Sequence, residues 1–484
     1  MRGRIRFGMG LTAVFCVLPA VQAADLLDVY QRAQQSDPLV REAENNRLAT
    51  REVRPRAMAG LLPAIDASGN YRDSSAEGSS VFPTGSPPVI ATRDSESDTE
   101  TTSWQLQLTQ SVFRWDRFVT LKQASSQVAQ AEADYQAAQQ DLILRVATRY
   151  FDVLAAGDTL QAESTARDAI ARQLEQAEKR FEVGLIAITD VQEAKAAHDN
   201  ASATVIAAKR SLATTQELLR ELTGDFIEVD AAPGSGMPLK TPEPQNEDAW
   251  VTTAMEQNLA LISSRLAAEV ARDTINIRRS GHLPTLDVIL RRQDFDQTGT
   301  DTGFPADADG TDDQLILALN FPIYSGGLTQ SNVREAIYRH RAARERLERT
   351  SRETERAARD AFLGVISEIS RVQALRQAVE SSRTALQATE AGYEVGTRTT
   401  VDVLVARRTL AQAETNYARS RYDYIINIIR LKLAAGTLSA GDVKDINGWL
   451  EPVPATPARP VEMPPQQQMT PTQPPANPVP PQQG

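Results

Sequence analysis

The placement of proline constrains this chain more than any other feature. Twelve of its 26 prolines lie in the last 33 residues, and none occurs in 89–232 or in 323–451. A proline inside a helix removes a backbone donor and clashes with the preceding turn, at a cost of about 3 kcal/mol. Two long tracts without proline can therefore form unusually long helices. A composition with 41% hydrophobic and 24% charged residues excludes wholesale disorder.

The first 23 residues have the pattern of a secretory signal peptide. Three arginines precede an apolar stretch at 7–19, and small residues stand just before a cleavage position at Ala24. The alternative, a membrane anchor, needs about 20 apolar residues. Cys16, the only cysteine of the chain, lies in this segment and follows Phe15, where a lipoprotein signal has a small residue. We expect a mature chain without a thiol, and hence without disulfides or cysteine-bound metal.

The charge of the chain narrows the classes of partner. The formal net charge is −11, and loss of three arginines with the signal peptide makes the mature chain more acidic. Nucleic-acid binding needs a basic surface, so we expect no nucleic-acid partner. No later run of roughly 18 or more apolar residues predicts a transmembrane helix. The remaining places for an exported chain are the periplasm, the exterior or a membrane β-barrel.

Comparison of the chain with itself reveals an internal repeat. Residues 62–66 (LPAID) match 283–287 (LPTLD), and residues 182–184 (EVG) match 394–396. The offsets of 221 and 212 residues are too long for a solenoid unit, so two fused copies of one half-protein are the better interpretation. We place the first copy at 24–235, the second at 236–440, and a Pro/Gln-rich tail, expected to be disordered, at 441–484.

Each copy contains alternating apolar and polar residues, the two-residue period of a β-strand. Leucines from Leu106 in the first copy and from Leu315 in the second follow this alternation. We predict one hairpin per copy, at about 62–115 and 283–325, with strands about ten residues long. Strands of this length span a bilayer in a tilted barrel, and aromatic residues near their ends suit its interfaces. An ordinary soluble β-sandwich is the alternative.

Polar hairpin loops are predicted at 73–103 and 294–313. The second loop is rich in aspartate, and residues 307–312 faintly resemble a calcium-binding loop. Because the closing glutamate is missing at the required spacing, we expect a solvated exterior loop instead.

Helical patterns follow each hairpin. From 116 to 182 the chain has no proline and one glycine, and small or apolar residues recur at the alternating spacing of a coiled coil. At about 1.5 Å per residue, such a helix is roughly 100 Å long, so the chain forms a long tube or rod. We predict long helices at 116–182 and 328–395, each ending at a Val-Gly pair with glycine in the left-handed conformation. Return helices are predicted at 189–224 and 400–436.

Four membrane-spanning strands cannot close a barrel. Every backbone group of a spanning sheet must be paired, and the smallest bacterial barrels have about eight strands. Two chains would supply eight strands and a filled interior, whereas three would supply twelve and leave a lumen. The strand count therefore favours an oligomeric channel that the helices continue.

Two turn sequences carry a family resemblance. The segment 390–404 (EAGYEVGTRTTVDVL) closely resembles the second periplasmic turn of the TolC-type outer-membrane channels, the outer membrane efflux protein family, and 180–192 (RFEVGLIAITDVQ) resembles the first. The resemblance covers about 24–438. It implies a mainly α trimer of the bacterial outer membrane, in which a shared twelve-stranded barrel continues as a long coiled-coil barrel through the periplasm. It also implies docking to an inner-membrane RND or ABC transporter through a periplasmic adaptor, for multidrug efflux or type I protein secretion.

The same resemblance assigns a latch at the periplasmic end. Tyr393 would bond to Asp190, and Arg398 would bond to Thr189 and Asp190, so that the inner coiled coil is held against the outer one. An arginine, a phenol and a carboxylate form strong hydrogen bonds, which makes such a latch chemically reasonable. Helix capping by Thr189 and Asp190 is the alternative.

The resemblance also assigns an aperture. Three copies of Asp402 would form an acidic ring that binds cations. The best-known member of the family has a second aspartate one turn later, where this chain has Val405, so a weaker cation affinity and an apolar second constriction are expected. The tips that meet the adaptor would be Val183, Gly184, Leu185, Val395, Gly396 and Thr397.

Other functions find less support in the sequence. A periplasmic coiled-coil adaptor or scaffold is the main alternative, and the alternating strands with aromatic ends oppose it. P-loop, HExxH and GxSxG patterns do not occur, and the three histidines are scattered. We therefore expect no enzyme, cofactor or metal. The cargo is not specified by the sequence.

Overall fold

The computed structural model describes residues 24–229, 231–234 and 236–452. The predicted signal peptide and residues 453–484 of the predicted tail lie outside this part. The elements of the first copy are α1 Leu26–Ser36, α2 Pro38–Arg51, α3 Val53–Ala59, β1 Ala64–Thr84, β2 Val89–Phe113, α4 Trp115–Glu182, α5 Ile188–Thr223 and β3 Ala231–Pro233. Those that follow are α6 Glu247–Gln257, α7 Leu259–Arg279, a short 3-10 turn Ser280–His282, β4 Thr285–Asp301, β5 Phe304–Pro305, β6 Ala308–Asn320, α8 Leu328–Glu394, α9 Thr400–Ala435, α10 Ala440–Asn447 and β7 Leu450–Pro452.

Two very long helices dominate the structure. Helix α4 has 68 residues and α8 has 67, so each is roughly 100 Å long. Helix α4 packs against its return helix α5 and also against α7 and α9, while α8 packs against α9 and α7. Each copy therefore contributes one long helical hairpin, and the two hairpins lie together. No helix in the described ranges is both long and apolar enough to cross a membrane.

One antiparallel sheet contains the two hairpins, in the order β1-β2-β4-β6, with the two-residue β5 also paired to β4. Strands β1, β2, β4 and β6 have 21, 25, 17 and 13 residues, so the predicted length of about ten is wrong. Most of the predicted loop 73–103 is strand, because β1 and β2 stay paired as far as Thr84 and Val89. Ladder bonds join backbone groups and do not require apolar side chains, and threonine is a good strand former.

The main hydrophobic core lies where the long helices cross the shorter ones. Tyr150, Phe151 and Tyr424 are fully buried there, and residues from α1, α6 and α10 complete the cluster. The rings of Phe151 and Tyr422 are stacked with centroids 5.6 Å apart. Because this core joins both copies, it holds the two helical hairpins in one body.

The start of the predicted disordered tail is folded. Residues 440–447 form α10, whose Val443 and Ile446 are buried, and β7 pairs with β3. The tail prediction is therefore wrong for 441–452. Composition concealed this segment, because a capping box of Ser439 and Asp442 begins a helix too short to show a periodic pattern.

Candidate functional site

The two long helices end in the same hydrogen-bonded turn. In each, the glycine amide donates to the carbonyl three residues earlier and the next amide donates to the carbonyl five residues earlier, with bonds of 2.9 and 2.8 Å after α4 and 3.1 and 2.8 Å after α8. Gly184 and Gly396 have φ of 74° and 78°. This is the Schellman motif, and it confirms the predicted left-handed glycines. Val183, Leu185 and Val395 are 69%, 73% and 75% exposed, so both tips present apolar side chains to their surroundings.

The first aspartate of the second return helix caps its own helix. Thr399 is the N-cap of α9, and its hydroxyl accepts a hydrogen bond from the Asp402 amide at 3.2 Å. The Asp402 Oδ2 accepts bonds from the Thr399 amide at 2.8 Å and the Thr399 hydroxyl at 3.0 Å. These bonds, together with the charge of Arg398, lower the pKa of Asp402 below its ordinary value. The carboxylate therefore stays ionised at more acidic pH than an unbonded aspartate.

The equivalent aspartate of the first return helix is not engaged in this way. The N-cap of α5 is Ala187, which has no side-chain group to form a cap. The Asp190 amide donates to the Ala187 carbonyl at 3.1 Å. Its carboxylate makes no hydrogen bond or ion pair with any residue that the structure describes. Helix capping by Thr189 and Asp190, the alternative to a latch, is therefore wrong.

Tyr393 lies beside the first copy but not in a hydrogen bond with it. The guanidinium carbon of Arg180 is 4.9 Å from the centre of the Tyr393 ring, a cation–π contact between α4 and α8. The Tyr393 hydroxyl is buried and lacks a hydrogen-bond partner among the described residues. Arg398 lies near Asp402 on its own turn. Within one chain, as far as it is described, no hydrogen bond joins Tyr393 or Arg398 to Thr189 or Asp190.

Ion pairs that the sequence analysis missed stabilise the second hairpin above its tip. Arg407 of α9 pairs with Glu390 of α8 at 2.5 Å, and Arg383 pairs with Glu414 at 3.3 Å. In each pair the two residues lie equally far along the sequence from the turn at Arg398, one before it and one after it. Opposite charges at equal distances from a predicted helical turn are the signal that could have identified these pairs. Val405, next to this region on α9, is 59% exposed.

A further set of contacts joins the two copies farther from the helix tips, between α4 and α9. The Tyr422 hydroxyl of α9 donates to Asp158 of α4 at 2.5 Å, and Arg419 pairs with Asp152 at 2.8 Å. Burial raises the pKa of Asp158 and the pKa of Tyr422 above their ordinary values. These contacts hold α4 against α9, whereas nearer the tips the copies share the Arg180–Tyr393 contact.

The sheet has one apolar and one polar face. Ile65, Leu108, Leu290 and Leu315 are paired across the four long strands and share one face, on which Leu315, Leu317 and Leu319 are about two-thirds exposed. One residue further along, the opposite face carries Asp66, Gln107, Arg291 and Gln314.

Hydrogen bonds connect the side chains of the polar face. Arg291 and Gln105 donate to Gln107 Oε1, each at 3.2 Å, and Gln107 donates to the Thr109 hydroxyl at 3.2 Å. Near the helical end of the sheet, Arg114 pairs with Asp287 at 2.9 Å. Such a face is built for contact with water, whereas the opposite face is built for contact with an apolar medium.

The acidic segment 294–313 is largely strand rather than loop. Asp294 accepts a hydrogen bond from the Thr311 hydroxyl at 2.8 Å, and Asp307 accepts one from the Gly299 amide at 3.1 Å. Within the described ranges, no group of three or more His, Cys, Asp or Glu side chains could hold a metal ion.

Long paired helical hairpins on a two-faced antiparallel sheet define the class of outer-membrane channel proteins, and comparisons with known proteins agree. The family described as outer membrane efflux protein matches residues 29–225 and 250–437. The outer membrane protein TolC of Escherichia coli K12 is 37% identical over 92% of this chain and 89% of its own length. The alkaline protease secretion protein AprF of Pseudomonas aeruginosa is 27% identical over 87% and 86%. The crystal structure of the Campylobacter jejuni CmeC outer membrane channel covers 92% of this chain and 97% of its own, with a TM-score of 0.69 and 15% identity.

The chain belongs to the outer membrane efflux protein family. It is an outer-membrane channel for efflux or secretion, and the relatives that it matches are named as channel and secretion proteins rather than enzymes.

Proposed function

We propose that three copies of this chain form one passive exit duct across the outer membrane and the periplasm. The observation that carries the proposal is the sheet, which has an apolar face, a hydrogen-bonded polar face and no partner in the described chain for the outer edges of β1 and β6. An open sheet edge in a bilayer would leave backbone groups unpaired, so neighbouring copies must supply the closure. Three copies of the four long strands give twelve, with the polar face lining a water-filled lumen.

The side chains at the ends of the apolar face agree with this arrangement. Trp104 is half exposed on one side of the apolar band, and Tyr324 is 87% exposed on the other. Aromatic side chains prefer the interfaces of a membrane. Helices α4 and α8 then leave the barrel together and continue the duct through the periplasm.

The oligomer and the duct are tested by purification in detergent and by planar bilayer recordings. We expect the mass of a trimer and a small single-channel conductance. A monomer that salt alone releases from membranes would overturn the proposal and favour the soluble adaptor or scaffold.

We further propose that Thr189, Asp190, Tyr393 and Arg398 latch the periplasmic end shut in the assembled channel. In the described part of the chain, the Tyr393 hydroxyl is buried without a hydrogen-bond partner and the Asp190 carboxylate is unbonded, so each copy has a donor and an acceptor available. Exposed bonds of this kind contribute about 1 kcal/mol or less, which suits a latch that a partner must release.

The latch is tested by a double substitution, Tyr393→Phe with Arg398→Ser. We expect a higher single-channel conductance, because the phenol and guanidinium donors are removed. Tyr338→Phe with Arg341→Ser is a matched control, since it makes the same two substitutions on the shaft of α8, where Arg341 lies 5.5 Å from the centre of the Tyr338 ring. An unchanged conductance in the tip variant would overturn the latch.

Below the latch, we propose that three Asp402 carboxylates form a cation-binding ring and that Val405 forms an apolar second constriction. Within one chain, the bonds from Thr399 lower the pKa of Asp402 and so favour the ionised carboxylate that such a ring needs.

The tips Val183–Leu185 and Val395–Thr397 are proposed to dock a periplasmic adaptor that connects the duct to an inner-membrane RND or ABC transporter. Their exposed apolar side chains on rigid turns support this role. A crosslinking cysteine at Leu185 should capture the adaptor in cells, whereas one at Ile206, equally exposed on the α5 shaft, should not. Equal capture at both positions would contradict docking at the tip.

A further inference from the structure

The two return helices begin with the same backbone but with different cap residues. Asp190 and Asp402 both occupy the third helical position, three residues after the N-cap. The N-cap φ and ψ are −78° and 154° at Ala187 and −95° and 164° at Thr399, so both backbones are set for a side-chain cap. The hydroxyl is present only in the second copy.

This difference goes with a difference in what the two carboxylates bond to. At Thr399 the hydroxyl bonds to Asp402 and the capping box is complete, so both partners are committed to α9. At Ala187 the hydroxyl half of the box is missing, and the Asp190 carboxylate has no bond in the described chain. The helix therefore gives up the stability of a cap and retains an unbonded carboxylate at the tip.

We infer that Ala187 is a positioning residue for the gate, because the absence of a hydroxyl keeps Asp190 available to bond across copies. The inference rests on the proposed latch and adds a reason why the latch uses the first-copy aspartate and not the second. On this inference, Ala187 helps to determine which of the two equivalent aspartates closes the channel.

The substitution Ala187→Ser tests this inference, since it supplies the missing hydroxyl on a backbone already suited to it. We expect the cap to recruit Asp190 and the open fraction of the channel to rise about fivefold, as a cap of ordinary strength implies. The thermal midpoint of the trimer should stay equal or rise, because a helix gains a cap. Damage to the structure would lower that midpoint. Measuring both the open fraction and the thermal midpoint therefore distinguishes capture of Asp190 by the new cap from a loss of structure.

Two further variants complete the experiment. Ala187→Gly makes a reasonable cap without a hydroxyl and should leave the conductance unchanged. Asp190→Ala should raise the conductance, and adding Ala187→Ser to it should cause no further rise.

The outcomes distinguish the inference from the latch on which it rests. A higher conductance with Asp190→Ala but an unchanged conductance with Ala187→Ser would overturn the role of Ala187 and leave the latch intact. An unchanged conductance with both Asp190→Ala and Ala187→Ser would overturn the latch itself. Equal rises with serine and glycine would assign the effect to the backbone and overturn the inference.

Discussion

At the scale of single residues, the polar groups at the tip fall into two kinds: one carboxylate that is bonded within its own helix, and other groups that are not bonded. Asp402 is held by bonds within its own helix, whereas the Asp190 carboxylate and the Tyr393 hydroxyl have no hydrogen-bond partner among the residues that the structure describes. Arg180 lies over the Tyr393 ring and orients it without using its hydroxyl. The site therefore has one fixed charge and a set of free groups, an arrangement that suits a constriction and a releasable contact side by side.

The fixed charge predicts a pH effect. Thr399→Ala removes the hydroxyl bond to the Asp402 carboxylate and keeps the bond from the backbone amide, so the pKa of Asp402 should rise part of the way towards its ordinary value. Because a carboxylate is ionised above its pKa, Asp402 of the variant should lose its charge at a higher pH than Asp402 of the wild type. Cation selectivity of the channel, recorded as a function of pH, should show a midpoint shifted to higher pH.

A neighbouring threonine provides the control for that experiment. The Thr397 hydroxyl donates to the Gly392 carbonyl at 3.0 Å and does not touch Asp402. Thr397→Ala should leave the midpoint where it is. Equal midpoints in the wild type and in Thr399→Ala would show that the Thr399 hydroxyl does not lower the pKa of Asp402.

At the scale of elements, each helical hairpin depends on one left-handed glycine. A Cβ at Gly184 or Gly396 would meet no other atom, so only the backbone conformation opposes a side chain there. Each of Gly184→Ala and Gly396→Ala should lower the free energy of unfolding by about 1 kcal/mol. Thermal or denaturant unfolding of the purified protein measures this change.

Gly157 is the matched control, because it lies inside α4 and its Cβ would also meet open space. Gly157→Ala should stabilise the protein by about 0.5–1 kcal/mol, since alanine is the better helix former. A loss of stability at all three positions would contradict an effect of φ alone.

Local sequence patterns predict the long helices of this chain better than its polar strands and its helix-packing contacts. The absence of proline and the presence of Val-Gly pairs predicted the ends of the long helices to within a residue or two, because helix breakers and left-handed caps are local signals. The extended β1–β2 ladder was missed, since polar strands such as 73–80 lack the apolar alternation on which the prediction depended. The Arg180–Tyr393 contact was missed because it depends on how two distant helices pack.

At the scale of the whole molecule, the two faces of the sheet determine where the chain can reside. Leu317 and Ala318 are adjacent on β6 but lie on opposite faces, with Leu317 68% exposed. Leu317→Arg should destabilise the inserted protein by about 2–4 kcal/mol, whereas Ala318→Arg should be tolerated and should change the selectivity of the lumen. The yield of folded oligomer in outer-membrane fractions measures the first effect, and bilayer recordings measure the second. Equal yields for the two variants would show that the assignment of the faces is wrong.

The ends of the folded chain meet at the central core. Asn447 donates to Asp25 at 2.8 Å and accepts a bond from the Leu27 amide at 3.3 Å, across more than 400 residues. In addition, β7 pairs with β3, which lies between the two copies. Contacts between such distant residues form slowly and only once both partners have been made. The core therefore cannot be completed until the chain as far as β7 has been exported.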